Sequence, residues 1–247
     1  MSFRIIPIIL VDENRMVKTK RFKDPKYLGD PLNAVRIFNE KEVDELIVID
    51  RSAAKRNEIN WSLLTDLASE AFMPMAYAGG ISNSGDADRL FSIGYEKIGL
   101  RSMCFEKPES VKSLVNAYGA QAIIGIVDYE INFWGHRKAI GYPGKSLTDV
   151  CLEIEKSGVG ELLLQSISNE GCMDGFDLEH VSAIANQIKI PLVISGGAKN
   201  LAHVIEAKAQ GASAVAVGSM CSFVSGRDSI LINYPKRDIL REHKLID

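Results

Sequence analysis

Two aspartates stand where apolar runs end. Asp50 closes Leu46-Ile47-Val48-Ile49, and Asp128 closes Ile123-Ile124-Gly125-Ile126-Val127. A carboxylate at the end of a buried strand is a natural general acid or base. It is also a residue that caps a loop or helix, and for Asp50 the sequence does not separate the two readings. Two-proton chemistry would need a partner acid opposite Asp128. The matching position of the run Arg4-Ile5-Ile6-Pro7-Ile8-Ile9-Leu10-Val11 is Leu10, which has no titratable group.

Paired glycines follow two other apolar runs, at Gly79-Gly80 and Gly196-Gly197. Such a pair lets backbone approach a ligand and turn its N–H groups toward an anion. With Gly218-Ser219 after the last run, Gly196 and Gly197 form a candidate phosphate cradle; Gly79, Gly80 and Ser102 form its counterpart. Tight turns without a ligand would use the same glycines. Four charged residues begin runs instead of ending them: Arg4, Glu45, Lys97 and Glu161. Two bases and two acids could meet as a ring of ion pairs; spacing alone favours four separate surface charges.

These residues need elements to hold them. Apolar runs of strand length lie at Ile5–Leu10, Glu45–Ile49, Met75–Ala78, Lys97–Leu100, Ala122–Val127, Glu161–Gln165, Leu192–Ser195 and Ala214–Val217. Amphipathic stretches alternate with them at Pro31–Val43, Trp61–Phe72, Ser84–Ile93, Pro108–Tyr118, Leu147–Ser157, Leu178–Gln187 and Leu201–Gln210, with a last one after Pro235. Regular alternation of strand and helix over 247 residues predicts an α/β fold, a (β/α)8 TIM barrel. A doubly wound open sheet is the alternative, disfavoured because no G-x-G-x-x-G follows the first run. Gly79 and Gly196 stand 117 residues apart, as do Met103 and Met220, which predicts a barrel of two half-barrel repeats, about 1–120 and 121–247, closed as one domain.

Two connections are long. Val11 to Gly29 carries Lys18, Lys20, Arg21, Lys23 and Lys26; Asp128 to Gly144 carries Phe133, Trp134, His136 and Arg137. Both follow strands, so both should overhang the barrel face that carries active sites. Each could instead be a solvated or self-packed loop.

A net charge of -3 gives no signal for nucleic-acid or membrane partners. The four cysteines form no C-x-x-C pair, so no metal centre or disulfide framework is expected. No residue pattern asks for a cofactor. With neither a signal peptide nor an apolar run near the ~20 residues that cross a bilayer, a cytoplasmic protein is expected.

The chain resembles the cyclase subunit of imidazole-glycerol-phosphate synthase, the barrel that partners a glutaminase in histidine biosynthesis. The matching stretches include Arg4-Ile5-Ile6-Pro7, Val17-Lys18, Gly29-Asp30-Pro31, Asp44-Glu45-Leu46, Gly79-Gly80-Ile81, Asp128, Asp174-Gly175-Phe176-Asp177 and Ile190-Pro191 through Gly197-Ala198. Within that family it resembles the paralogue tied to acetamidino modification of surface-polysaccharide sugars. That likeness rests on Phe22-Lys23-Asp24-Pro25-Lys26-Tyr27, Phe38 through Leu46, Phe72-Met73-Pro74 and Leu231-Ile232-Asn233-Tyr234-Pro235.

The resemblance implies that Asp128 is one of two catalytic aspartates and that Leu10 stands where the other belongs. It implies that Arg4, Glu45, Lys97 and Glu161 gate ammonia entry, with a glutaminase on the N-terminal face. It puts Lys18, Asp50 and Arg101 at the mouth. Arg101-Ser102 replaces an Asn-Thr pair, and Ser168-Asn169-Glu170-Gly171 an Asp-x-Asp-Gly. Arg101 could pair a phosphate or fill its site. Three functions are expected in turn: an ammonia-channelling subunit supplying an ATP-dependent sugar amidotransferase, a true cyclase of histidine biosynthesis, and a non-catalytic scaffold for a glutaminase.

Overall fold

The structure is a computed structural model that describes residues 3–222 and 232–246. Leu231 of the C-terminal motif lies outside the described residues. The elements in chain order are β1 (Arg4–Asp12), β2 (Arg15–Lys20), β3 (Lys23–Gly29), α1 (Pro31–Glu40), β4 (Leu46–Asp50), α2 (Arg51–Arg56), α3 (Trp61–Glu70), β5 (Met75–Ala78), α4 (Ser84–Ser92) and β6 (Lys97–Leu100). There follow α5 (Ser102–Glu106), α6 (Pro108–Tyr118), β7 (Ile123–Ile131), β8 (Arg137–Ala139), α7 (Leu147–Lys156), β9 (Glu161–Ser166), α8 (Val181–Ala185), β10 (Leu192–Ser195), α9 (Leu201–Ala209), β11 (Ala214–Val217) and α10 (Arg237–Glu242).

Of the eleven strands among the described residues, β2, β3 and β8 pair antiparallel; the other eight run parallel. The ladder closes where β1 pairs with β11, Arg4 opposite Ala214 and Pro7 opposite Val217. The expected (β/α)8 barrel is therefore present, and the open sheet is excluded. Successive residues of a strand face opposite ways, so each barrel strand serves two cores. In β1, Ile5, Ile9 and Val11 pack outward against the helices, while Ile6 and Ile8 turn inward. The interior is filled by Ile6, Ile8, Ile47, Ala76, Ala78, Ile124, Ile126, Leu163, Val193, Ala214 and Ala216. That double burial is why the strands read as continuous apolar runs.

The repeat extends to cap geometry. Asn83 caps α4 by accepting from the Asp86 N–H, and Asn200, 117 positions on, caps α9 by accepting from the His203 N–H. Asp30 accepts from the Leu32 N–H ahead of Pro31, as an N-cap before a first-turn proline should. Two connections differ from expectation. Val11 to Gly29 is not a loop but extends β1 into an antiparallel ribbon of β2 and β3, and Asp128 to Gly144 extends β7 and pairs it with β8. The ribbon turns at Glu13-Asn14 and Arg21-Phe22, all four at positive φ, as two-residue hairpin turns of the primed type require. Without the usual Asn-Gly pair, nothing in the sequence marked them. Three helices are shorter than their amphipathic stretches by two residues or more: α1 stops at Glu40, α3 at Glu70, and Leu178–Gln187 forms a helix only over Val181–Ala185.

Candidate active site at the C-terminal mouth

The C-terminal ends of the strands surround two pockets. The first is lined by Leu10, Lys18, Phe22, Ile49, Gln165, Glu170, Gly196, Gly197, Gly218 and Ser219. The second, a cavity of about 470 Å³, is lined by Phe22, Ile49, Asp50, Gly79, Gly80, Arg101, Ser102, Asp128 and Gln165 among others. Phe22, Ile49 and Gln165 border both. All the residues predicted for the mouth thus come together, divided between a C-half lobe and an N-half lobe.

The glycine pairs have a structural reason. At Gly79 (φ +142) a Cβ would stand 2.3 Å from the Asp50 carbonyl oxygen; at Gly196 (φ +102) it would stand 2.5 Å from that of Ser166. Backbone on the neighbouring strand end leaves no room for a side chain. The two halves meet this constraint at equivalent positions. Close approach therefore explains Gly79 and Gly196 without a ligand. An anion cradle would be an additional use of the backbone that lines the pocket.

Lys18 stands in the C-half lobe, and Arg101, with Arg51 and Lys107, in the N-half lobe. Lys18, from β2, is 5% exposed, and its Nζ hangs over Gly218, 2.3 Å from where a Cβ would sit. Burial pushes its pKa down to about 8, the Glu170 carboxylate opposing the shift. In the N-half lobe Arg101 Nη1 lies 3.5 Å from Asp128 Oδ2. Burial pushes the Asp128 carboxyl up to about 6 against the pull of Arg101. Oδ1 of Asp128 is closed to solvent and has no hydrogen-bond partner. Across the mouth, Leu10 is 3% exposed and lines the C-half lobe. It offers an apolar wall where proton transfer would need a second group.

Asp50 has a different task. Its Oδ1 accepts from the Ala53 N–H at 2.9 Å and from Ser52 Oγ at 2.6 Å, capping α2. It borders the N-half lobe, but the cap holds its carboxylate. Ser102 opens α5, where no side chain caps the helix.

Sequence reasoning passed over the residues that close the mouth. The tip of the β2–β3 ribbon is fastened to the segment after β9. Glu170 accepts from the Phe22 N–H at 2.7 Å and from Thr19 Oγ1 at 2.9 Å, while the Arg21 N–H donates to the Glu170 carbonyl at 2.8 Å. Arg51 donates to the Phe22 carbonyl at 3.2 Å and pairs with Asp12 at 2.7 Å. Phe22 is thereby held at φ +53 over both lobes. Gln165 was legible: it continues the inward alternation Glu161, Leu163, Gln165.

At the opposite end the four charges do meet. Glu45 takes Arg4 at 2.5 Å and Lys97 at 2.7 Å; Glu161 takes Lys97 at 3.1 Å and Arg4 from the other side. The signs alternate around a closed ring, with both carboxylates 4% exposed. Separate surface charges, the reading that spacing favoured, are excluded.

Among the described residues no cluster of His, Cys, Asp or Glu could hold a metal, and no helix is long and apolar enough to cross a membrane.

Residues 4–224 match the family described as Histidine biosynthesis protein. A protein of Pseudomonas aeruginosa provisionally named imidazole glycerol phosphate synthase subunit hisF2 is 38% identical over 239 residues, covering 94% of this chain and 95% of the relative. A Leptospira borgpetersenii protein, provisionally named imidazole glycerol phosphate synthase subunit HisF, is 40% identical over 94% of each chain. The imidazole glycerol phosphate synthase subunit HisF of Frankia casuarinae is 32% identical over 90% of this chain and 91% of its own. Barrel, ring and mouth thus sit on a chain that matches these relatives almost end to end, and it belongs to the histidine biosynthesis protein family, among the imidazole glycerol phosphate synthase HisF-type subunits.

Proposed function

We propose that the chain is the ammonia-conducting synthase subunit of a glutamine amidotransferase complex, serving acetamidino modification of a surface-polysaccharide sugar. A glutaminase docks on the N-terminal face, where Arg4, Glu45, Lys97 and Glu161 gate ammonia entry. An ATP-dependent sugar amidotransferase takes the ammonia that emerges at the mouth. The observation that carries this reading is the contrast between the two ends of one strand: Arg4 belongs to a complete ring, and Leu10 leaves the mouth without a second acid. A leucine can neither take nor give a proton, so ring closure loses one of its two partners. The apolar interior between the ends suits a small neutral molecule better than an ion.

The mouth keeps parts that a nucleotide or sugar phosphate would use. Lys18 over Gly218, with Gly196, Gly197 and Ser219, would hold one phosphate; Gly79, Gly80 and Ser102 would face another. Asp128 would act as the single acid or base. Those parts and the names of the relatives favour a second reading, a cyclase subunit of histidine biosynthesis.

An ammonia-dependent assay on the histidine-pathway nucleotide separates the two. The expected outcome is turnover at least a hundredfold below that of a HisF chain carrying both acids, about 3 kcal/mol of lost transition-state stabilisation. Cyclisation at a comparable rate would refute the conduit reading.

A further inference from the structure

The strand order sets three groups in a row along the N-half lobe. β5, β6 and β7 are successive neighbours in the barrel. Gly79 and Gly80 follow the end of β5, Arg101 and Ser102 follow the end of β6, and Asp128 stands in β7. Arg101 therefore sits between the glycine pair and the acid, and all five residues line one cavity of about 470 Å³. The half-barrel repeat supplies a comparison. Arg101 corresponds to Gly218, 117 residues on, and Asp128 to Leu10, 118 residues back. The C-half lobe has the same glycine pair but neither charge at those positions. Its cation, Lys18, comes from β2 instead.

Arg101 is held loosely. Its Nη1 lies 3.5 Å from Asp128 Oδ2, longer than the ~2.8 Å of a tight guanidinium–carboxylate bond, and its side chain is 41% exposed. A guanidinium carries more donors than this contact uses and can meet a phosphate through two of them at once. Asp128 depends on it more. Oδ1 has no hydrogen-bond partner, so the contact at Oδ2 is all that offsets burial of the charge. Burial already favours the protonated acid, and Arg101 opposes it. Most other charged groups nearby have partners of their own. Asp50 caps α2, Arg51 pairs with Asp12, and Lys107 donates to the Ser82 carbonyl; Glu106 also borders the lobe. On β8, Arg137 is bound by Asp177 and Glu179. On β9 the residue opposite Asp128 is the neutral Gln165. Lys18 and Glu170 border the other lobe. Among the described residues, Arg101 is the cation that balances Asp128.

We propose that Arg101 is shared between two claimants, the carboxylate of Asp128 and a phosphate group held at Gly79, Gly80 and Ser102, so that filling the N-half lobe releases the acid. An arriving phosphate draws the guanidinium away from Asp128. The carboxylate is left buried without a donor and beside a new negative charge, and it takes a proton from solvent; no other bond forms or breaks. Asp128 thus becomes a proton donor only when the lobe is filled. The coupling runs both ways: taking away the carboxylate frees Arg101 and tightens the phosphate. The inference rests on the reading of this lobe as an anion site and holds for a conduit and a cyclase alike.

The test is titration of the full chain with inorganic phosphate near pH 7.5 at constant ionic strength, followed by nitrogen-15 NMR. The amide signals of Gly79 and Gly80 report the N-half lobe; those of Gly196 and Gly197 report the C-half lobe as an internal control. Asp128→Asn should tighten phosphate in the N-half lobe about tenfold, the worth of one charge-assisted contact regained, and leave the C-half lobe unchanged. Arg101→Met should weaken it by a similar factor. With Arg101→Met in place, Asp128→Asn should recover little, because its gain passes through the guanidinium. Carbon-13 NMR of the Asp128 carboxyl, assigned by its loss in Asp128→Asn, should show its titration moving up by about one pH unit under saturating phosphate, the same tenfold seen from the acid's side. Equal affinity in the unaltered chain and Asp128→Asn, the same gain with and without Arg101, or a carboxyl titration that phosphate does not move overturns the coupling. No phosphate at Gly79 and Gly80 overturns it together with the anion reading of the lobe. No nucleotide or partner enters the titration, so the cyclisation assay decides the conduit reading separately.

Discussion

Asp128 and Lys18 titrate abnormally for one reason and in opposite directions. Burial raises the carboxyl from 3.8 to about 6 and lowers the ammonium from 10.5 to about 8. For Asp128 the folded state holds its proton more tightly than the unfolded chain. Its contribution is therefore favourable below pH 3.8 and is lost as pH rises through about 6. Asp128→Asn removes the cost of the buried charge. The variant should be more stable at pH 7.5 by up to about 3 kcal/mol, the free energy that a carboxyl raised from 3.8 to about 6 represents. The gain should shrink as pH falls from about 6 toward 3.8, and urea unfolding at a series of pH values measures it. Burial of that carboxyl works against stability at neutral pH, so Asp128 does not serve the fold as an ionised group.

At the scale of elements, the β2–β3 ribbon decides the shape of the mouth. It brings Lys18 and Phe22 over the strand ends, and one carboxylate, Glu170, fastens its tip through Phe22 and Thr19. β3 itself is mostly exposed, so little apolar burial holds it there. Glu170→Ala should free the ribbon and cost about 1–2 kcal/mol, the value of one charge-assisted pair of hydrogen bonds. Trypsin should then cut several times faster within Lys20 to Lys26, where Lys20, Arg21, Lys23 and Lys26 supply sites, as timed digestion with mass spectrometry would show. Unchanged cutting would mean that Arg51 and the bonds from Arg21 to the Glu170 and Ser168 carbonyls suffice to hold the tip.

For the whole molecule, the ring at the N-terminal end ties strands of both halves together. Arg4 begins β1, Glu45 precedes β4, Lys97 begins β6 and Glu161 begins β9. Lys97→Ala would leave two buried carboxylates sharing Arg4. Removing one partner from a buried ion network costs about 3–5 kcal/mol in full burial. With Lys97 21% exposed at its side chain, the lower end of that range is expected. Lys97→Met combined with Glu161→Gln should recover much of the loss, because one base then faces one acid. Thermal unfolding of the variants measures both effects.

The sequence by itself determined the barrel, its internal repeat and the mouth end of the first strand. A strand buried on both faces must be apolar throughout, and a helix that stops must find a turn, so alternation and glycine placement survive in the chain as written. The cap of α4 and the cap of α9 repeat for the same reason. Leu10 could be read as the absence of an acid because side-chain chemistry is local. Other features were decided only by tertiary structure. Whether four charges 41 to 157 residues apart form a ring or stand alone depends on barrel closure. Whether Asp50 caps a helix or faces a ligand depends on where α2 begins. The ribbon was invisible because Arg21-Phe22 does not announce a hairpin turn; contacts to Glu170 and Arg51, far away in the chain, hold it there. The unbonded oxygen of Asp128 likewise belongs to no residue type, since a carboxylate lacks a donor only when the packing around it supplies none.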